Sequence, residues 1–126
     1  MRRSPLILLS FVVALAACGS SAKTYTVSKT RLCLAAHGAT IVTPSDDIVA
    51  STATGGAFRA RFADNFVTVV FGATVADANN INDAYHRFRG KNVGINDVLS
   101  QQGNAVMLWH AHPQSVDQDA VNSCLK

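Results

Sequence analysis

Glutamate is missing from this chain: all eight acidic residues are aspartates. One common general acid is thereby excluded from any catalytic pair. Asp46 and Asp47 do not fill the gap, because adjacent side chains on a helix diverge by about 100°; they read instead as helix-start residues. No Gly-x-Ser-x-Gly elbow and no glycine-rich phosphate cradle occurs, and Gly55-Gly56 reads as a helix stop ahead of a strand. Internal repeats and low-complexity tracts are absent too. Charged residues make up only 15% of the chain. No apolar stretch reaches the roughly 20 residues that a membrane-spanning helix needs.

What is present begins with a leader. Arg2 and Arg3 form a short positive segment, and Leu6 to Ala17 is apolar apart from Ser10, the length of a signal-peptide core. The run ends in Leu15-Ala16-Ala17-Cys18-Gly19, which resembles the lipobox of bacterial lipoproteins. The resemblance covers the leader alone. It implies that the Cys18 thiol is alkylated with diacylglycerol, that the peptide bond before it is cut, and that residues 1–17 are a signal peptide. Residues 18–24 are then a lipidated cysteine and tether, and 25–126 a single domain. Acyl chains such as palmitate hold a protein on a membrane at about 0.8 kcal/mol per buried methylene, with no transmembrane helix required. A general secretory cut after Ala22 is the competing reading, favoured by the small residues Gly19 to Ala22. The domain is expected outside the cytoplasm, on the cell membrane or the outer membrane when lipidated.

Removing the leader also changes the charge. Without Arg2 and Arg3, the 11 basic residues become nine against eight acidic ones. A nucleic-acid partner, which wants a strongly basic domain, loses its support. With Cys18 assigned to lipid, Cys33 and Cys124 remain as an even pair in an oxidising compartment, and a disulfide between them is expected. Two buried thiols are the alternative.

The order of elements points to an α+β fold. Ser28 can cap a helix over Lys29–His37, with Gly38 ending it. Ala39–Thr43 reads as a strand, and Ser45-Asp46-Asp47 opens a short helix with Ile48 and Val49 inward. Phe58, Ala60 and Phe62 alternate with Arg59 and Arg61, a half-buried strand. A turn at Asp64-Asn65 returns the chain as Phe66–Phe71, pairing Phe62 with Val67, Ala60 with Val69 and Phe58 with Phe71. Thr74 caps a helix whose apolar positions are Val75, Ala78, Ile81, Tyr85 and Phe88, with Gly90 as its stop. Lys91–Asn104 reads as a long connection with one helical turn over Val98–Gln102, followed by an interior strand Ala105–Ala111 and a last helix capped by Ser115. Strand, short helix, hairpin, helix, strand fits a small antiparallel or mixed sheet of the ferredoxin-like split βαβ kind, with helices on one face. The first and last helices, joined by the disulfide, would flank it. This domain resembles only small exported bacterial proteins to which no activity is attached, so the likeness implies no function.

Candidate chemistry is thin. His110 and His112 share a strand face, so both imidazoles can reach one metal ion, with His86, His37 or an aspartate as third ligand. A solvated strand end explains the same pattern without a metal, and no other cofactor is indicated. Arg59, Arg61, Arg87, Arg89 and Lys91 are candidate contacts for anionic head groups or cell-wall polymer. Cations in the last helical turn also complement the helix dipole with no ligand at all. Asn96 and Gln101 lie in the long connection, a common place for partner contact. The expectation is a lipid-anchored envelope protein that binds another envelope component without catalysis, with a metal-dependent site at His110 and His112 as the alternative. Oligomeric state is left open.

Overall fold

The computed structural model describes residues 23–89 and 94–126. The leader, Cys18 and the expected helix stop at Gly90 lie outside the described residues, as does Lys91. In chain order the elements are α1 (Val27–Ala36), β1 (Thr40–Val42), α2 (Ile48–Ser51), β2 (Ala57–Arg61), β3 (Phe66–Phe71), α3 (Val75–Arg89), α4 (Ile95–Val98), β4 (Leu99–Gln102), β5 (Ala105–Trp109) and α5 (Ser115–Cys124). The class is α+β. Five strands form one sheet in the order β1-β2-β3-β5-β4, every neighbouring pair antiparallel.

That order is not the ferredoxin-like one. A split βαβ requires the chain leaving β1 to run back along the sheet, so that another strand fits between β1 and β2. Helix α2 is a single turn of four residues, about 6 Å long. The chain therefore returns beside β1, and Ile41 pairs with Ala60. Helices consequently cover both faces rather than one. Phe58, Ala60, Val67, Val69, Phe71, Met107 and Trp109 point to the side of α1 and α5, where Leu34, Val121 and Leu125 meet them. Val70, Val106, Leu108 and Leu99 point the other way, onto Val49 of α2 and Ala78, Ile81 and Tyr85 of α3.

The hairpin keeps the expected faces but slides by two residues. Ala60 pairs with Val67 and Phe58 with Val69, while the Phe62 N–H donates to the Asn65 carbonyl at 2.8 Å, so the two-residue turn is Ala63-Asp64. A shift of two preserves which side chains are inward, since strand side chains alternate with period two. Strand β4 replaces part of the connection expected over Lys91–Asn104, and the helical turn there is Ile95–Val98. Helix α1 starts earlier than expected, with Thr26 as its N-cap and no side-chain cap, and α5 is preceded by Gln114 rather than capped by Ser115. Thr74 does cap α3, its Oγ1 accepting from the Asp77 N–H at 3.1 Å. Gly38 ends α1 at φ +88°, a left-handed conformation that glycine adopts without strain.

Two polar devices close the core. The Cys33–Cys124 disulfide joins α1 to α5 across 91 positions, with the Cα atoms 5.5 Å apart. Buried Asn104, just before β5, bonds on three sides. Its Oδ1 accepts from the Tyr25 N–H, and its Nδ2 donates to the carbonyls of Tyr25 and Gly72, each at 2.9 Å. On the other face Tyr85 donates to Asp47 Oδ2 at 2.7 Å, and Asp47 Oδ1 accepts from the Ala50 N–H as the α2 cap.

Replacing both bridge cysteines by alanine is expected to lower stability by up to about 4–5 kcal/mol, the chain-entropy limit for so long a loop. Denaturant midpoints of the two proteins measure it, and an unchanged midpoint would refute any constraint by the bridge. Asn104→Asp should destabilise although the two side chains have nearly the same shape, because a carboxylate cannot donate to the Tyr25 and Gly72 carbonyls. The expected loss is about 1–3 kcal/mol per abandoned acceptor, read from the same unfolding curves.

Candidate functional site

Helices α2 and α3 do not cover the whole of their face of the sheet. Beyond their edge, β2, β3 and the end of β5 frame a pocket of about 190 Å³ lined by Asp46, Arg59, Phe66, Thr68, Leu108 and His110. No residue of α2 or α3 lines it. Strand alternation places Arg59, Phe66 and Thr68 on this face, since their neighbours Phe58, Ala60 and Val67 are buried on the other.

Arg59 is the centre of the arrangement. Its side chain is only 12% exposed. Its Nε donates to the Thr68 hydroxyl at 3.2 Å, across the directly paired positions of β2 and β3. Its Nη2 lies 2.9 Å from Asp46 Oδ1, and Asp46 is 71% exposed, so the ion pair sits at the pocket mouth. The guanidinium carbon stands 4.7 Å from the centroid of the Phe66 ring, a cation–π contact. His110 stacks on the same ring, with centroids 4.5 Å apart and planes 18° from parallel. Phe66 thus links the β2 cation to the β5 imidazole, with β3 between them in the sheet.

Asn65 holds the rim. Its Oδ1 accepts from the Ala111 N–H at 3.1 Å and its Nδ2 donates to the Ala111 carbonyl at 2.9 Å. One amide side chain thereby continues the β3–β5 ladder for a further step and fixes the segment carrying His110.

Of the residues singled out from the sequence, Arg59 and His110 come together here. Arg61 is exposed on the same face of β2, paired with Thr40 in β1. His112 is exposed, its Nδ1 3.5 Å from Asp97 Oδ2. Asn96 is exposed on α4, whereas half-buried Gln101 is engaged by a neighbour at the surface, donating to Asn79 Oδ1 at 2.8 Å. Among the described residues, the group of three metal-capable side chains that converges within 4.8 Å is Cys33, His37 and Cys124. Its sulfurs are joined to each other, so while the bridge is closed it is a covalent link with an imidazole beside it. Neither His110 nor His112 belongs to it. Phe66 and Thr68 were not visible as site residues in the sequence. The available signal was Thr68, a polar residue inside the otherwise apolar run Phe66–Phe71.

A larger cavity of about 470 Å³ lies between α2 and α3, lined chiefly by Ile48, Val49, Ala53, Ile81, Ala84 and Phe88. Ile48 and Phe88, both expected inward, are 71% and 73% exposed. They stand at its edge because α2 is too short to cover the end of α3. The polar side chain Asp77 at its border is engaged by the Thr54 hydroxyl at 3.1 Å. The cavity offers chiefly apolar contact, with Thr52, Thr54, Asp77 and Asn80 also in its lining.

Comparison with protein-family models, with curated proteins and with solved structures finds no match to this chain.

Asn65→Ala is expected to loosen the rim locally. Hydrogen exchange at the Ala111 amide should accelerate markedly while the amides of Val67 to Phe71 keep their protection, as local opening at the end of a ladder requires. Unchanged exchange at Ala111 would show that the side chain does not hold it.

Proposed function

We propose that this chain is an exported, lipid-anchored envelope protein whose domain is a non-catalytic binding module. The use of its cysteines carries the reading. The fold joins Cys33 to Cys124 and leaves Cys18, of the three, in the lipobox position. Disulfides persist in oxidising compartments, which agrees with an exported domain, and a lipid on Cys18 anchors it without a membrane-spanning helix. Among the described residues no helix is long and apolar enough to cross a membrane.

The pocket chemistry supports binding over turnover. Its one hydroxyl, on Thr68, accepts from Arg59, and a guanidinium takes no proton at physiological pH. An adjacent base would activate that hydroxyl as a nucleophile, and it bonds to no base among the described residues. What the pocket presents is a positioned positive charge with an aromatic rim, suited to holding an end group of another envelope component, whether protein or cell-wall polymer.

Growth with labelled palmitate tests the anchor. The expected result is label in the mature protein, none in Cys18→Ser, and recovery of that variant free of the membrane fraction. An unlabelled wild-type chain beginning at Lys23 would replace lipidation with ordinary secretion.

A further inference from the structure

We infer that the pocket framed by β2, β3 and the end of β5 receives a single carboxylate group, which takes over Arg59 from Asp46. The inference rests on reading the domain as a binding module but is independent of the lipid anchor. Failed labelling at Cys18 leaves it standing, and failed ligand titration leaves the anchor standing.

Three of the lining side chains, Arg59, Thr68 and His110, carry N–H or O–H groups with no acceptor among the described residues. The guanidinium carries five N–H groups. Nε is taken by Thr68 and Nη2 by Asp46, whereas Nη1 has no hydrogen-bond partner among the described residues. Every buried side-chain nitrogen and oxygen among the described residues is paired, so Nη1 is accessible rather than sealed in the core, on a side chain that lines the pocket. Thr68 accepts from Arg59 and keeps its own hydroxyl proton, with no acceptor among the described residues. The His110 ring contributes at least one N–H in any protonation state, and its ring nitrogens bond to no other described residue. A set of donors facing one small space calls for a ligand rich in acceptors.

Charge and size narrow the class. One near-buried cation balances one negative charge; a phosphate dianion would bring in a second without a partner, at a desolvation cost. A carboxylate matches the planar fork of a guanidinium, and Asp46 at 2.9 Å already shows the fork placed to accept one. About 190 Å³ is below the 300–1,000 Å³ of pockets that enclose whole ligands. The pocket accommodates the terminal group of a longer molecule, such as a carboxylate-ended peptide, with the remainder passing over Phe66 and His110. Asp46 belongs to the protein yet is 71% exposed while its partner is 12% exposed. It is a resident competitor for the same guanidinium, placed at the pocket mouth.

The test uses the mature protein in detergent, titrated with N-acetylalanine, with binding followed through the Arg59 Nε–H resonance and by calorimetry. Saturable binding to the wild type is expected, about two- to fivefold tighter in Asp46→Asn, the gain that loss of an exposed ion pair allows. Asp46→Asn retains the Thr68 and Phe66 contacts of Arg59, so this variant stays informative even if Arg59→Gln fails to fold. A folded Arg59→Gln protein should not bind, and neither N-acetylalanine amide nor inorganic phosphate should saturate the wild type. Weaker binding in Asp46→Asn, equal binding of the amide, or preference for phosphate would each overturn the inference.

Discussion

Because the side chains of Val67 to Phe71 and of Ala105 to Trp109 are buried on alternate faces of one sheet, neither face can be left to water. The rest of the architecture answers that constraint. One face is closed by α1 and α5, two helices from opposite ends of the chain, and the disulfide holds them together over it. The other is closed by α2 and α3, tied through Tyr85 and the Asp47 carboxylate that caps α2. With one helix of four residues, this second cover is incomplete. The pocket lies where it runs out, and there the sheet carries Arg59 and Thr68 in place of aliphatic side chains. Site and fold have one cause: a two-faced sheet with cover for somewhat less than two faces.

That asymmetry also explains what the sequence could and could not convey. The strands of the hairpin were legible because Phe58, Ala60 and Phe62 alternate with arginines, and β5 because it is apolar throughout. The hairpin register was not, since period two fixes which face a side chain takes but not how far the strands slide. Asn65 had the look of a turn residue; the fold uses its amide on Ala111 instead, which moves the turn back to Ala63-Asp64. Strand β4 escaped notice because Leu99-Ser100-Gln101-Gln102 has one aliphatic residue, its place in the sheet secured by pairing with β5 rather than by its own pattern. Phe88 sits at helical spacing with Ile81 and Tyr85 but one turn past the cover of α2. The site was half legible. Arg59 and His110 stood out by residue type, while their connection through Phe66 depends on a strand order that spacing along the chain cannot reveal.

Short amides do the polar work that longer side chains perform elsewhere. Asn104 pairs with both the N–H and the carbonyl of Tyr25 and reaches Gly72 as well. Asn65 does the same for Ala111. In each case an amide side chain substitutes for a strand neighbour at the edge of the regular ladder, and in each case the replaced neighbour would have left backbone groups unpaired. The two sit at opposite ends of the β3–β5 pair. Asn104 fixes where the N-terminal segment joins the sheet, and Asn65 fixes the rim of the pocket.

Their separation gives the domain a direction. Strand β5 has five residues between Asn104 and His110, about 17 Å of extended chain. The segment Lys23–Tyr25 is held at the Asn104 end, where the backbone of Lys23 also packs against Gly103. Cys18 lies five residues before Lys23, so a fully extended chain keeps it within roughly 18 Å of that end. Anchoring at Cys18, as proposed, would tether the domain by its Asn104 end, the end opposite the Arg59–Phe66–His110 pocket. A pocket turned away from its own membrane is poorly placed for that membrane's head groups and well placed for something approaching from the other side. Of the two anionic partners that the arginines suggested, lipid and wall polymer, the proposed anchor would suit the one that lies beyond the membrane surface.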